Sequence, residues 1–295
     1  MIVDAHCHMY TRDMLPDSAV QAYLEPMRAL EDIMDWGLDD EVVWPNFVAD
    51  ARELVKVMDT AGIDKSIILP LDYGRVEEPR TGFREYNRWV FESAQEFEDR
   101  IIPFVGIDPV RRGSGDFVEE HVRRWNAQGV KIYPATGFYP YEERLSGFWD
   151  AMEDLGVLVV SHTGAAWGPF EEEYCHPEYF RSVAEEHPSL RIVLAHLGGK
   201  WREEAFRLAE EFENVYSDCS ALQGWLPSQP EMAEQRLREV ADRIPDKVLF
   251  GTDWPIFELA YTSRKWAEFV KERSWGSGGI KEKVLHRNIG KLIDL

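Results

Sequence analysis

Eight short apolar runs rich in β-branched residues recur along the 295 residues of this chain. They cover Met1–Ala5, Lys65–Leu69, Ile101–Ile107, Gly129–Tyr133, Val157–Ser161, Arg191–Ala195, Val215–Asp218 and Val248–Gly251. Runs of this length and composition read as strands buried on both faces, as in a parallel sheet. Between them the apolar spacing becomes helical: in Asn46–Ala61, Phe47, Ala51, Leu54, Val55 and Met58 share one face, and Gly62 follows as a stop. Similar patterns occupy Arg84–Glu98, Phe117–Ala127, Trp149–Leu155, Glu178–Glu186, Lys200–Phe212, Glu231–Arg243 and Thr262–Glu272. Parallel strands need crossover connections, and eight strand and helix repeats suit closure into a ring better than an open sheet. The expected fold is α/β, a (β/α)8 TIM barrel, in one domain over residues 1–295. No Gly/Ser linker, low-complexity tract or composition break marks a second domain.

One interval breaks the rhythm. Residues 9–45, between the first strand and the first regular helix, carry Met9, Tyr10, Met14, Leu15, Trp36 and Trp44. So long an insertion reads either as a lid over the barrel mouth or as a packed excursion that serves as a contact in a homo-oligomer. Composition bounds the partners. Thirty-three basic against 54 acidic residues give a net charge of −21, which repels nucleic acid and anionic lipid surfaces. Three separated cysteines, Cys7, Cys175 and Cys219, suggest neither a disulfide framework nor a cysteine-only zinc site, and they fit a reducing cytoplasm. With no basic, apolar leader pattern at Met1 and no apolar run near the ~20 residues of a membrane helix, a cytoplasmic protein is expected.

In a barrel of this kind the chemistry collects where strands end at the C-terminal mouth. Four of the eight histidines stand there: His6 and His8 after the first strand, His162 after the fifth and His196 after the sixth; Asp253 follows the eighth. Two residues apart on extended chain, His6 and His8 point the same way while Cys7 turns to the opposite face. Two imidazoles, a third imidazole and a carboxylate, with one position left for water, make a workable catalytic metal site. The remaining histidines, His121, His176, His187 and His286, fall on helical or loop segments and are expected to be solvated. Tyr73 and Arg75 after the second strand, Trp167 after the fifth, Trp225 after the seventh and Trp254 after the eighth are candidates to line a pocket for a planar or carboxylated substrate, with Arg75 as its anion anchor.

Four motifs in order, Val3-Asp4-Ala5-His6-Cys7-His8, Val160-Ser161-His162, Leu194-Ala195-His196-Leu197-Gly198-Gly199 and Phe250-Gly251-Thr252-Asp253-Trp254-Pro255, resemble the amidohydrolase superfamily over essentially the whole chain. More narrowly the chain is similar to the amidohydrolase-2 branch, which includes aminocarboxymuconate semialdehyde decarboxylase and related decarboxylases, hydratases and lactonases. The resemblance implies that His6, His8, His162 and Asp253 bind one divalent metal, usually zinc, with manganese, iron or cobalt as alternatives. It also implies that His196 stays unligated as an acid/base. The residues alone do not separate the roles of His162 and His196. Lys131 lies in the fourth strand, the strand from which binuclear relatives supply a carboxylated lysine that bridges two metals and which in mononuclear relatives lacks that bridge. A lysine in an apolar strand needs a partner, and the simpler reading is a salt bridge inside the barrel.

The expected activity is hydrolysis of a small-molecule ester, lactone or amide by metal-activated water, with His196 and Asp253 as the proton-transfer groups. Non-oxidative decarboxylation of an aromatic or muconate-type acid would use the same residues. A non-catalytic binding barrel would keep the histidines for structure only.

Overall fold

A computed structural model gives the arrangement of residues 1–22, 48–258 and 261–295. The strands are β1 (Val3–Cys7), β2 (Lys65–Ile68), β3 (Ile101–Pro103), β4 (Val105–Gly106), β5 (Gly129–Ile132), β6 (Leu158–Ser161), β7 (Ile192–Leu194), β8 (Val215–Asp218) and β9 (Val248–Leu249). All pairings are parallel, β1-β2-β3 in one sheet and β4 through β9 in sequence order in the other. Only Phe104 separates β3 from β4, so the two form one strand of the barrel. Backbone bonds join the far edges as well: Ala5 N donates to Phe250 O (2.8 Å), Asp253 N to His6 O (2.8 Å) and His8 N to Trp254 O (2.7 Å). The eight strands expected are present, and the architecture is a TIM barrel.

Helices α1 (Ala51–Ala61), α2 (Phe83–Gln95), α3 (Ser114–Trp125), α4 (Ser146–Leu155), α5 (Arg181–Glu186), α6 (Arg202–Glu211), α7 (Pro230–Arg243) and α8 (Ser263–Glu272) follow the strands. The first starts where chemistry allows it: the Asp50 carboxylate accepts from Arg52 N and Glu53 N, both at 2.9 Å, and Gly62 ends it at φ 67°. Of the 9–45 excursion, Met9, Tyr10, Met14 and Leu15 are buried, while Trp36, Trp44 and any lid fall outside the described residues. None of the helices in the described residues is long and apolar enough to cross a membrane.

Alternation along the strands separates two apolar bodies. Val130, Ile132, Val159, Ile192 and Leu194 face the helices. Val3, Ala5, Ile67, Leu69, Ile102, Phe104, Leu158, Val160, Val193 and Leu249 fill the lumen, and the C-terminal Ile289, Leu292 and Ile293 pack against them. Gly129 admits Phe104 to that lumen, since a Cβ there would lie 2.0 Å from the Phe104 ring.

At β4 the Asn87 side chain of α2 completes the backbone pairing: its Nδ2 donates to Gly106 O and its Oδ1 accepts from Gly106 N, both at 2.8 Å in buried surroundings. Asn87→Leu keeps the volume but strands both groups. It is expected to lower stability by about 2–4 kcal/mol in urea unfolding, and a change below about 0.5 kcal/mol would contradict this account.

Candidate metal centre and active site

The inward alternation that fills the lumen continues toward the C-terminal ends as Leu71, Lys131, Tyr133 and His162, and there it becomes a pocket. An inner cavity of about 60 Å³ is lined by these residues with His8, Tyr73, Phe170, His196 and Asp253. An outer cavity of about 550 Å³ shares His162, Trp167, His196, Asp253 and Ile256 with it and runs on past Trp225 toward Arg202 and Arg236. Tyr73, Tyr133 and Phe170 form an aromatic wall with ring centroids 5.3–5.9 Å apart.

His6, His8 and Asp253 converge with their ligand atoms within 4.8 Å of one another. The outer nitrogens are already committed: His6 Nδ1 lies 2.9 Å from Asp218 Oδ2, and His8 Nδ1 lies 2.6 Å from the Leu69 carbonyl. Both rings therefore turn Nε2 toward Asp253 Oδ1, at 3.6 Å and 3.1 Å, the shorter of the two a hydrogen bond from His8. Two ring nitrogens and a carboxylate converging in this way are a donor set that fits a divalent cation, which would take the place of the proton between His8 and Asp253.

His196 also approaches His6, with ring centroids 4.8 Å apart, and shares a second compact group with His6 and Asp218. Its Nε2 is 3.1 Å from His162 Nδ1 and its Nδ1 is 2.7 Å from Ser220 Oγ. His162 belongs to neither compact group among the described residues; it holds the Ala165 carbonyl through Nε2 at 2.8 Å and faces the site through His196. The geometry thus brings together three of the four expected ligands and places His162 one imidazole away.

Backbone strain sets these side chains. From His196 to Gly199 every φ is positive, 59°, 50°, 76° and 56°, and Asp253 has φ 53°. Such conformations cost non-glycine residues about 1–3 kcal/mol each and cluster at functional sites. Asp218 offsets part of the cost: its Oδ1 accepts from His196 N (3.0 Å) and Ser220 N (3.1 Å) while Oδ2 holds His6. Gly199 is required because a Cβ there would meet Gly164 Cα at 2.9 Å.

The electrostatics separate bases from anions. Burial, then the Lys131 charge, pushes His6 down to about 3 against the pull of Asp218 and Asp253. Burial likewise lowers His162 and His196. Burial alone would raise Asp253, but the His8 hydrogen bond and the nearby imidazoles outweigh it and hold the carboxyl well below the usual range. Asp218 is likewise held low against its own burial, by its contact with His6 and the hydrogen bond of Ser220. Neutral imidazoles and ionised carboxylates are the protonation states a metal needs.

Other expectations are met unevenly. Tyr73 and Trp167 line the inner pocket. Trp225 lines the outer cavity, whereas Trp254 is buried and lies outside both linings. Arg75 is outside them too, its guanidinium taken by Asp108 and by the carbonyls of Thr136 (2.9 Å) and Gly137 (3.0 Å). Lys131 makes no salt bridge among the described residues; its Nζ is 3.3 Å from His6 Nε2, and burial pushes it down to about 8 against the pull of Asp218 and Asp253. That corrects the expected ion pair: the inward face at this height offers imidazoles and two carboxylates engaged elsewhere. His121 and His187 are buried where solvation was expected. His121 bonds the Phe117 carbonyl within its helix, and His187 packs against Glu153. Asp218, Ser220, Leu71, Tyr133, Phe170 and Ile256 had not been singled out, although an aspartate closing the strand Val215–Asp218 was a readable signal.

The Amidohydrolase family model (Amidohydro_2) matches residues 3–295. The chain belongs to the amidohydrolase family. No curated protein matches the sequence. Among solved structures, this amidohydrolase is similar to an uncharacterised TIM-barrel protein from Bordetella bronchiseptica (TM-score 0.75, 20% identity, covering 99% of this chain and 97% of that one). It is also similar to a 2,6-dihydroxybenzoate decarboxylase complexed with 2,6-dihydroxybenzoate (0.71, 17%, 100% and 99%). A third is a probable 2-pyrone-4,6-dicarboxylic acid hydrolase from Acinetobacter baumannii with citric acid bound (0.68, 14%, 99% and 98%). At these identities the likeness speaks for the barrel.

Asp218→Asn has one accepting oxygen where the carboxylate has two, so it cannot serve both His6 and the backbone of His196 and Ser220. If the converging group holds a divalent ion, the variant is expected to bind it about tenfold to a hundredfold more weakly in chelator competition with the fold retained; unchanged affinity would remove Asp218 from the site.

Proposed function

We propose that this protein is a metal-dependent hydrolase of a small-molecule ester, lactone or amide. His6, His8, His162 and Asp253 would hold one divalent ion, zinc first and manganese, iron or cobalt as alternatives. The observation that carries the reading is the convergence of His6 Nε2, His8 Nε2 and Asp253 Oδ1 on the floor of a pocket that also contains His196. A divalent metal held there supplies Lewis acidity, polarising a carbonyl and bringing the pKa of water toward ~7.

The chain's own residues do the rest. His196, neutral and braced by Ser220 and its backbone bond to Asp218, takes or returns a proton at an imidazole nitrogen. Asp253, ionised and beside His8, is the second proton acceptor. The wall of Tyr73, Tyr133 and Phe170 orients a planar group and limits water at the reacting bond.

Decarboxylation of an aromatic or muconate-type acid is the second reading, favoured by that same aromatic wall; a decarboxylase and a probable hydrolase both stand among the structural neighbours. A screen of metal-reconstituted protein in ¹⁸O-labelled water, with lactones and amides against aromatic carboxylates, separates the two. One labelled oxygen in the acid product is expected; carbon dioxide released without label incorporation would replace the first reading by the second.

Two variants test the roles. His196→Asn is expected to lower kcat about 10²–10⁴-fold with metal content unchanged, and retained activity would dismiss His196 as the proton carrier. The double variant His6→Ala, His8→Ala is expected to come off the column without stoichiometric metal in elemental analysis. Metal retained in it would refute the ligand set.

A further inference from the structure

We propose that the outer cavity binds an uncharged apolar arm of the substrate, an alkyl or aryl group joined to the reacting carbonyl. The protein would then prefer long or aryl-bearing neutral esters, lactones and amides over their small counterparts. The inference deepens the proposed function by naming a substrate class, and it rests on that reading only for placing the reacting bond beside His196 and Asp253.

The inner cavity is too small for a whole substrate. Its volume of about 60 Å³ is room for about five groups the size of a water molecule, enough for a carbonyl and its immediate substituents. The outer cavity of about 550 Å³ opens directly from it, since His162, Trp167, His196, Asp253 and Ile256 line both. Whatever is attached to a group reacting at His196 therefore extends there. Leu197, Leu222, Ile256 and Phe257 supply an apolar lining. Trp167 and Trp225 stand along the same cavity at 38% and 43% exposure. Single exposed apolar side chains need no explanation, but two tryptophans left in water on one cavity mark a surface for an apolar ligand. The lining is held in place by the protein itself. Gln223 Nε2 donates to the Thr252 carbonyl, which ties the turn Leu222–Trp225 to the strand end carrying Asp253. Phe257 packs so closely on Gly224 that a Cβ there would lie 3.0 Å from its ring. Charge favours a neutral occupant. Lys200, Arg202 and Arg236 also line the cavity, but Lys200 is paired with Glu172, while Arg202 (2.9 Å) and Arg236 (3.2 Å) share Glu239. An anionic arm would have to displace one of these pairs, whereas an apolar arm needs only the lining already present.

The test titrates the whole protein, with and without added zinc, with neutral primary amides from butanamide to octanamide and with 3-phenylpropanamide, followed by calorimetry in wild type, Trp225→Ala and Trp225→Phe. Affinity in wild type is expected to rise about twofold to fourfold per added methylene, as for partial to full burial of each one, and 3-phenylpropanamide should bind more tightly than butanamide. Adipamate, a chain of hexanamide length ending in a carboxylate, should bind more weakly than hexanamide. Trp225 is exposed enough to truncate without opening the core, which an unchanged melting temperature checks. Trp225→Ala should flatten the dependence on length while leaving butanamide unchanged, and Trp225→Phe should restore most of it. Affinity independent of length in wild type, a length dependence that survives intact in Trp225→Ala, or tighter binding of adipamate than of hexanamide would each overturn the proposal. Because binding is read without turnover, the two failures separate. A length dependence carried by Trp225 in a protein that hydrolyses neither ethyl acetate nor ethyl octanoate sinks the hydrolase reading and leaves the apolar subsite standing. Hydrolysis of both esters with equal kcat/KM, together with flat amide binding, sinks the subsite alone.

Discussion

A parallel barrel has one lumen, and each strand can place only alternate side chains in it. That constraint governs everything at the site. In this chain the lower positions are Val, Ile, Leu and Phe, closed from beneath by Ile289, Leu292 and Ile293. The upper positions of the same rows are Lys131, Tyr133 and His162, joined by His6, His8 and Asp253. The apolar plug keeps water out from below, and it fixes the strands rigidly enough to hold imidazole nitrogens at 3 to 4 Å from a carboxylate. A polar cluster of that density would otherwise be an expensive inclusion in a core.

Asp218 is the hinge between packing and chemistry. One carboxylate serves two strand ends, orienting His6 through one oxygen and the His196 backbone and Ser220 through the other. It remains ionised despite full burial because the surrounding donors outweigh desolvation, and the imidazoles remain neutral because desolvation outweighs the carboxylates. The same low dielectric drives both outcomes; the hydrogen bonds decide which group keeps its charge.

How far these features could be read from residues alone varied with how local their causes were. Strands and helices were legible because parallel-strand burial and helical periodicity leave direct imprints, and α1 even announced its end at Gly62. The register was less so: the first strand runs Val3–Cys7 and not Met1–Ala5, so His6 lies within it. His6 and His8 were legible as a pair because extended chain puts alternate residues on one face. The relation of His162 to His196 was not, since it depends on the strained His196–Gly199 turn that swings one imidazole against the other. Arg75 misled for a similar reason. Its position near the mouth is a matter of sequence order, but its engagement by Asp108 depends on a neighbouring loop. Lys131 was visible as a burial anomaly, whereas its partner was not, because strand alternation predicts which way a side chain points without predicting what it meets.

The strain at His196, Leu197 and Asp253 bears on why the site needs so much support. Residues held at positive φ persist only where surrounding contacts over-determine them. Here those contacts are the Asp218 bond to His196 N, the Asp253 N bond to His6 O that links the last strand end to the first, and the close approach of Gly199 to Gly164. Each joins two different strand ends. The backbone distortion that aims one side chain of the site is therefore stabilised by the element carrying another, so the proposed proton carrier and the proposed ligands form a single mechanical unit. A barrel achieves this where an open sheet would not, because the final strand returns beside the first and leaves no strand end without a neighbour to brace it.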